Sequence, residues 1–450
     1  MGPGGFRAAA TKQLNAAGDG TWWRCRPEDD RSSSVRRVST AAHSATVTVT
    51  GHLMDTGILA RILDDVLEYG GDYRIETLDL GREHGDESRA LVEIRADEAD
   101  LLERIVMRVQ VHGANPVDPG TAMTRPAPTD GVFPDDFYST TNLDTFVRLD
   151  REWLPVDRAE MDCGLVVEDQ GGRTVVRNVP VSDVKAGEAV VCGAHGVRVE
   201  MPPSAPRGEE EDFGFMSSAV SSEKPQALLV RQIAERMREV KAAGQRILWV
   251  GGPAVVHTGA SPAMVRLVRA GYVDVLFAGN ALATHDIEAS LFGTSLGVDL
   301  AKGSGVPHGH EHHIRAINTI RAAGSIAAAV ESGVLTGGIM HAMVQAGKPF
   351  VLVGSVRDDG PLPDVYTDVI EGQRAMRAQL PDVGFAIMVA TMLHSIATGN
   401  ILPASIPLVS VDINPATVTK LADRGSAQAM GIITDIGLFL EQLARELAPE

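Results

Sequence analysis

No apolar run in this chain approaches the ~18 residues needed to cross a bilayer, so no membrane span is expected. Cysteine is scarce: Cys25, Cys163 and Cys192 are too few and too scattered for a disulfide framework or a thiolate metal site. That scarcity suits a reducing, cytoplasmic setting. Positive charge is also short, with 41 Lys and Arg against 59 Asp and Glu and a net charge of -18. Nucleic acids and anionic membranes select basic surfaces, so neither is expected as a partner. Missing too is a GxGxxG after any apolar run; the nearest string, GSGVPHGH, has the wrong third spacing. The common dinucleotide fingerprint is thereby excluded.

At 450 residues and 44% hydrophobic, the chain is long enough for two or three domains. Residues 1–44 are rich in Gly, Ala, Ser and Arg without periodicity and are expected to form a disordered tail. Residues 45–115 read as a small α/β sandwich: an alternating ATVTVTG, an amphipathic ILARILDDVLEYG with a cap at Asp55, strands YRIETLDLG and RALVEIRAD, and a helix over 98–111. Over 116–205, prolines and turns punctuate short strands such as DCGLVVED and GGRTVVRNV, the pattern of a small β-rich domain. From 206 to 450, beyond the solvated acidic run GEEED, six short apolar runs alternate with helically spaced segments such as QALLVRQIAERMREVKAA. That alternation predicts an α/β fold, a doubly wound parallel sheet with helices on both faces.

Each of the six runs stops in Gly, Asn, Asp or His, and such strand ends are where a doubly wound sheet places its ligand. Gly251 and Gly252 in RILWVGGPAVVHTG, and Asn280 and Ala281 in YVDVLFAGNALATHD, let backbone N–H groups approach a phosphate at a helix N-terminus. Asp412 in VDINP ends an alternating strand with no Arg close behind, which suits the two hydroxyls of an adenosine ribose and favours NAD over NADP. The same residue type serves equally as a helix cap, with Pro415 in the first turn. Thr391, Met392, Leu393 and His394 in ATMLHSIATGN put a flat apolar pair beside a histidine, suited to a nicotinamide or adenine face. Asp435, after the sixth run, completes the candidate cofactor set. In SVRDDGPLPD, Arg357, Asp358 and Asp359 emerge together: an Arg grips a carboxylate, one Asp holds an ammonium and the other accepts a proton. His257 and His285 follow strand ends and are the acid/base candidates. HGHEHH lacks the two-His, one-carboxylate helical signature of a zinc hydrolase, so no metal is assigned and a loop-to-helix cap with one functional His is expected there. Lys348 precedes its strand and is expected to be structural.

Taken together, GHLMDTGIL, GGPAVVHTG, GNALATHDIE, GTSLGVDL, SVRDDGPLPDV, ATMLHSIATGN and VDINPATVTKL make the chain resemble the archaeal-type ornithine cyclodeaminases from about residue 44 onward. The same region resembles the C-terminal part of cyanobacterial arginine-to-proline bifunctional enzymes, and its first unit resembles the conserved region named for lysine-ketoglutarate reductase/saccharopine dehydrogenase. The resemblance implies a Rossmann-like NAD-binding domain related to deoxyhypusine synthase. It implies cofactor contacts at Asn280, Ala281, one of Asp358 and Asp359, the stretch from Thr391 to His394, and Asp412. It also implies conversion of L-ornithine to L-proline and ammonia with NAD recycled, and a homo-oligomer. For that chemistry Arg357 or Lys302 would grip the carboxylate, Asp359 would orient the δ-ammonium, and His257 or His285 would take the proton. Two alternatives stay open: an NAD-dependent amino-acid dehydrogenase that releases NADH, and a non-catalytic NAD and amino-acid sensor.

Overall fold

The structure, a computed structural model, describes residues 42–53, 57–81, 86–201, 220–221, 226–299, 311–358, 360–424 and 429–449. Strands β1 (His43–Gly51), β2 (Asp72–Asp79), β3 (Ser88–Ala96) and β4 (Asn115–Pro116) form an antiparallel sheet in the order β2-β3-β1-β4. In β1 the alternation sends Val47 and Val49 into the core, and helices α1 (Ile58–Glu68) and α2 (Ala99–Gln110) close over that face. Leu59, Ile62 and Val66 lie three and four apart on α1, and Ile105 and Val109 lie four apart on α2, so each helix offers one apolar stripe. The unit is the expected βαββα. The cap expected at Asp55 lies outside the described residues.

Seven short strands follow: β5 (Met123–Pro126), β6 (Asp144–Leu149), β7 (Glu152–Asp157), β8 (Gly164–Asp169), β9 (Thr174–Val179), β10 (Ala189–Cys192) and β11 (Val197–Glu200). Their order is β11-β6-β7-β9-β8-β10-β5. The core inside the curled sheet holds Val147, Leu165, Val176, Val191 and Val197, together with Ala404 from far down the chain. Around Ala404 the docking is polar and specific. Met161 N–H donates to the Asn400 carbonyl at 3.0 Å, Ala404 N–H to Asn142 at 2.7 Å, and Arg377 Nε meets Glu160 Oε1 at 2.7 Å.

The remaining elements are, in order, β12 (Val220–Ser221), α3 (Gln226–Ala242), β13 (Arg246–Gly251), α4 (Ala254–His257), α5 (Ser261–Arg269), β14 (Val275–Gly279) and α6 (Asn280–Phe292). A hairpin of β15 (Thr294–Ser295) and β16 (Val298–Asp299) precedes α7 (His312–Ala323), α8 (Ile326–Glu331), α9 (Gly338–Gln345), β17 (Phe350–Val353) and β18 (Val365–Tyr366). Then come α10 (Val369–Ala378), β19 (Val383–Val389), α11 (Leu393–Ile401), β20 (Leu408–Asp412), α12 (Pro415–Arg424), β21 (Ala429–Ile433) and α13 (Ile436–Leu447). The sheet order is β12-β21-β20-β19-β13-β14-β17-β18, and every pair is parallel. Its six main strands are the six apolar runs read from the sequence. All seven residues of β19 are buried, as expected of a strand covered on both faces.

Counting those six strands along the chain, the spatial order is 3-2-1-4-5-6, the doubly wound arrangement of dinucleotide-binding sheets. The chain reverses its winding between β13 and β19, which places a crevice at their carboxyl ends. At the opposite edge, Asp274 is held by Lys348 Nζ at 2.7 Å, by Lys241 Nζ at 2.8 Å and by the Ile247 N–H at 2.9 Å. Lys348 thus sits in the structural position expected of it.

Candidate active site at the sheet's switch point

Two strand ends meet backbone to backbone at the crevice. Gly252 N–H donates to the Val389 carbonyl at 2.9 Å, and a Cβ on Gly252 would lie 1.8 Å from the Ala390 carbonyl oxygen. Only glycine permits that approach. Ala390 itself has φ 56, a left-handed conformation rare for a residue with a side chain. Gly251 is also tight, since a Cβ there would come within 2.8 Å of Leu282 on α6. Helix α6 opens directly from Gly279, with Asn280 and Ala281 in its first turn and its free N–H groups at the sheet edge. His394 lies against Gly279 and hydrogen-bonds the Val353 carbonyl, so one ring ties the ends of β14, β17 and β19 together. Burial holds its pKa below the ordinary histidine value.

The carboxylates expected to face a cofactor are partly engaged by their own loops. Asp412 Oδ1 accepts from the Asn414 N–H at 2.8 Å, while Asn414 receives the Ala416 N–H at 3.0 Å at the start of α12. The cap of that helix is therefore Asn414. Asp358 Oδ2 accepts from the Ser355 N–H at 2.8 Å and closes the turn after β17. Asp435 Oδ1 takes the Leu438 N–H at 2.9 Å, so it is the N-cap of α13. Asn280 is buried, and its Oδ1 accepts from the Leu362 N–H at 3.0 Å, which pins the loop beyond β17. Arg357 is exposed at the end of β17. Thr391, Met392 and Leu393 follow β19, and the Thr391 carbonyl accepts from the Ser395 hydroxyl. Leu393 is 73% exposed and Ile413, beyond the adjacent β20, 68%. Lys302 and Asp359, with His308 and His310, lie outside the described residues.

A second cluster sits on the helices that follow β13 and β14. His257 at the end of α4 and His285 on α6 meet edge to face, ring centroids 4.8 Å apart. The ring of His313 is 6.4 Å from that of His285. His257 Nδ1 is 2.6 Å from the Ser295 hydroxyl, and its pKa is lowered by burial and then by the neighbouring His285. His285 Nδ1 is 2.8 Å from Oε2 of Glu288, one turn further along α6. Glu288 is fully buried, and it receives the Thr294 hydroxyl at 2.9 Å and the N–H groups of Gly297 and Leu296 at 3.1 and 3.2 Å. Thr294 Oγ1 in turn lies 2.8 Å from His312 Nδ1. Among the described residues no group of three or more His, Cys, Asp or Glu is arranged to hold a metal ion.

The family model described as arginine dihydrolase ArgZ-like, C-terminal, Rossmann fold matches residues 231–443. The first region of the same C-terminal part matches 144–230, and the LOR/SDH bifunctional enzyme conserved region matches 44–143. The ornithine cyclodeaminase of Methanothermobacter thermautotrophicus is 51% identical over 401 residues, 89% of this chain and 97% of that protein. The chain belongs to the ornithine cyclodeaminase family.

Among solved structures, a LOR/SDH protein from Methanococcus maripaludis S2 is 47% identical with a TM-score of 0.67, covering 73% of this chain and 97% of that one. Apo ArgZ, a cyanobacterial arginine dihydrolase, is 37% identical with a TM-score of 0.78. There the match covers 90% of this chain and 58% of ArgZ. In this cyclodeaminase-family chain the six apolar runs end where the six strands end, and the two histidines singled out beyond them, His257 and His285, lie in ring contact. Glu288 and Ser295, which bond those rings, and Thr294, which bonds Glu288, do not stand out in the sequence analysis. The signal was available: Glu288 follows His285 by three, which puts both on one helix face.

Proposed function

We propose that the chain catalyses cyclodeamination of L-ornithine to L-proline and ammonia with NAD as a recycled cofactor. The observation that carries this reading is the switch-point crevice beside a buried histidine pair, in a chain 51% identical to a named ornithine cyclodeaminase. The residues present fit a dinucleotide. α6 aims the N–H groups of its first turn at the edge, Met392, Leu393 and Ile413 offer exposed apolar surface there, and Gly252 lets the Ala390 backbone close on the end of β13. NAD bound there would supply a reversible acceptor for the electron pair of the Cα–H bond.

The protein's own task is then positioning and proton handling. Ornithine at neutral pH carries two ammonium groups and one carboxylate, and the products are zwitterionic proline and ammonium, so no net proton is exchanged with solvent. A side chain must still take a proton from one nitrogen, to make it nucleophilic, and give one to the nitrogen that leaves. His257 suits this, because burial keeps its ring neutral and ready to accept. His285 is its partner in contact. Arg357 or Lys302 is assigned to the substrate carboxylate, Asp359 to the δ-ammonium, and Asp412 with Asp358 to the cofactor. The proposal extends to a cytoplasmic homo-oligomer: β2 is an edge strand whose Ile75 and Leu78 are exposed, and light scattering measures the assembly.

The direct test incubates purified protein with L-ornithine, with and without NAD, and follows proline, ammonia and NADH absorbance together. Equal proline and ammonia with no lasting NADH is the expected result. Accumulating NADH without proline makes it a dehydrogenase, and binding without turnover makes it a sensor.

A further inference from the structure

We infer that Glu288 is a positioning residue that holds His285 in one tautomer, with the proton on Nδ1 and the Nε2 lone pair left free for the substrate. The inference rests on the reading of His285 as a proton-handling group. Glu288 is a carboxylate with no exposed surface, on a helix, and among the described residues no Lys or Arg lies against it. A buried charge is costly unless its oxygens are filled by donors. Here four donors converge: the Thr294 hydroxyl and the Gly297 N–H on Oε1, the Leu296 N–H and His285 Nδ1 on Oε2. Those donors keep the pKa of Glu288 below the ordinary carboxylate value, although burial acts against them.

An ionised carboxylate can only accept, so the nitrogen of His285 that faces it must carry the proton. The direction of the rest of the chain follows. Thr294 gives its only hydroxyl proton to Glu288, so it accepts from His312, whose Nδ1 must be the donor. The hairpin β15–β16 is bent to serve this arrangement. Leu296 has φ 53, a strained value for a residue with a side chain, and with Gly297 at φ 72 it aims two successive N–H groups at one carboxylate. The same hairpin holds the second histidine, through Ser295 and His257 Nδ1. Apolar packing alone would need neither the strain nor the charge.

Two measurements test this, and only one depends on activity. With 15N-labelled histidine, the His285 signals, assigned by their loss in His285→Ala, should show protonated Nδ1 and bare Nε2 in the wild-type protein. In Glu288→Gln they should move towards a mixture. Protonated Nε2 in the wild-type protein overturns the inference whether or not the protein turns over ornithine, and whether or not any Glu288 variant folds. In the activity arm, Glu288→Gln should lower kcat by at least about 100-fold and up to the order of 10⁴-fold, with KM and NAD binding unchanged. In a His285→Ala background the same change should cost nothing more. An equal loss in both backgrounds makes Glu288 a structural brace and overturns the inference. A wild-type protein that makes no proline yet shows the stated tautomer refutes the proposed function and leaves the tautomer assignment standing.

Discussion

At the scale of single residues, Gly252 is the position with least freedom. Gly252→Ala would drive a methyl group into the Ala390 carbonyl 1.8 Å away, so β13 and β19 must part at the crevice. Overpacking of this kind costs about 1–3 kcal/mol, and NAD affinity measured by titration should fall at least about tenfold. Gly399→Ala, in α11 with open space around it, is the control that should leave affinity unchanged. The histidines give a second expectation. Burial lowers the pKa values of His112, His257 and His394 in the folded protein. The unfolded chain, with histidine near 6.5, therefore binds protons that the folded chain refuses, so their contribution is complete above about pH 6.5 and is lost as pH falls. Asp286, raised to about 6 by burial, has the opposite sign, and its contribution disappears as pH rises through about 6. Glu160 and Asp364, also raised by burial, share the sign of Asp286, but the three histidines start from an unfolded value near 6.5 inside the window, so thermal stability should decline from about pH 7.5 to 6, and a rising profile would contradict it. Residue roles were the least legible part of the sequence. Asp358, Asp412 and Asp435 each follow a strand end, and a strand end that binds a ligand and one that caps a turn call for the same residue, so the sequence alone does not separate the two roles. Glu288 was passed over because a mid-helix Glu normally faces water.

At the scale of elements, the parallel strands were plain to read, since each is a short apolar run cut off by a residue that cannot continue it. The two-residue strands β12 and β18 carry no such run and only the sheet ladder reveals them. Helix α6 was harder for a different reason: it buries Asn280, Thr284, His285, Asp286 and Glu288, so it lacks the polar face by which a helix is recognised. Helix α13 separates capping from binding. The Asp435 carboxylate accepts from the Leu438 N–H, so Asp435→Ala should lower stability by about 1 kcal/mol in chemical denaturation. NAD affinity should not change. A tenfold weaker affinity would return Asp435 to the cofactor set.

At the scale of the whole molecule, the middle sheet and the parallel sheet are joined by contacts that no local reading could find, because the partners lie far apart in sequence. Glu160 and Arg377 are 217 positions apart and 2.7 Å apart in space. The Glu160 side chain is 11% exposed and the Arg377 side chain 20%, so water does little to shield either. Burial raises the pKa of Glu160 even with the guanidinium beside it. Removing one partner leaves the other charge stranded, and Arg377→Ala should destabilise the protein by about 3–5 kcal/mol. Exchanging both for apolar residues of similar size should cost much less, since the desolvation penalty goes with the charges. The unfolding curve decides whether this joint couples the two sheets. If they fold as one unit, Arg377→Ala shifts a single transition; if each stands alone, the variant splits it, with only part of the signal moving. A single shifted transition is the expected outcome, because Ala404 beside the joint is packed into the core of the middle sheet and cannot leave without opening it.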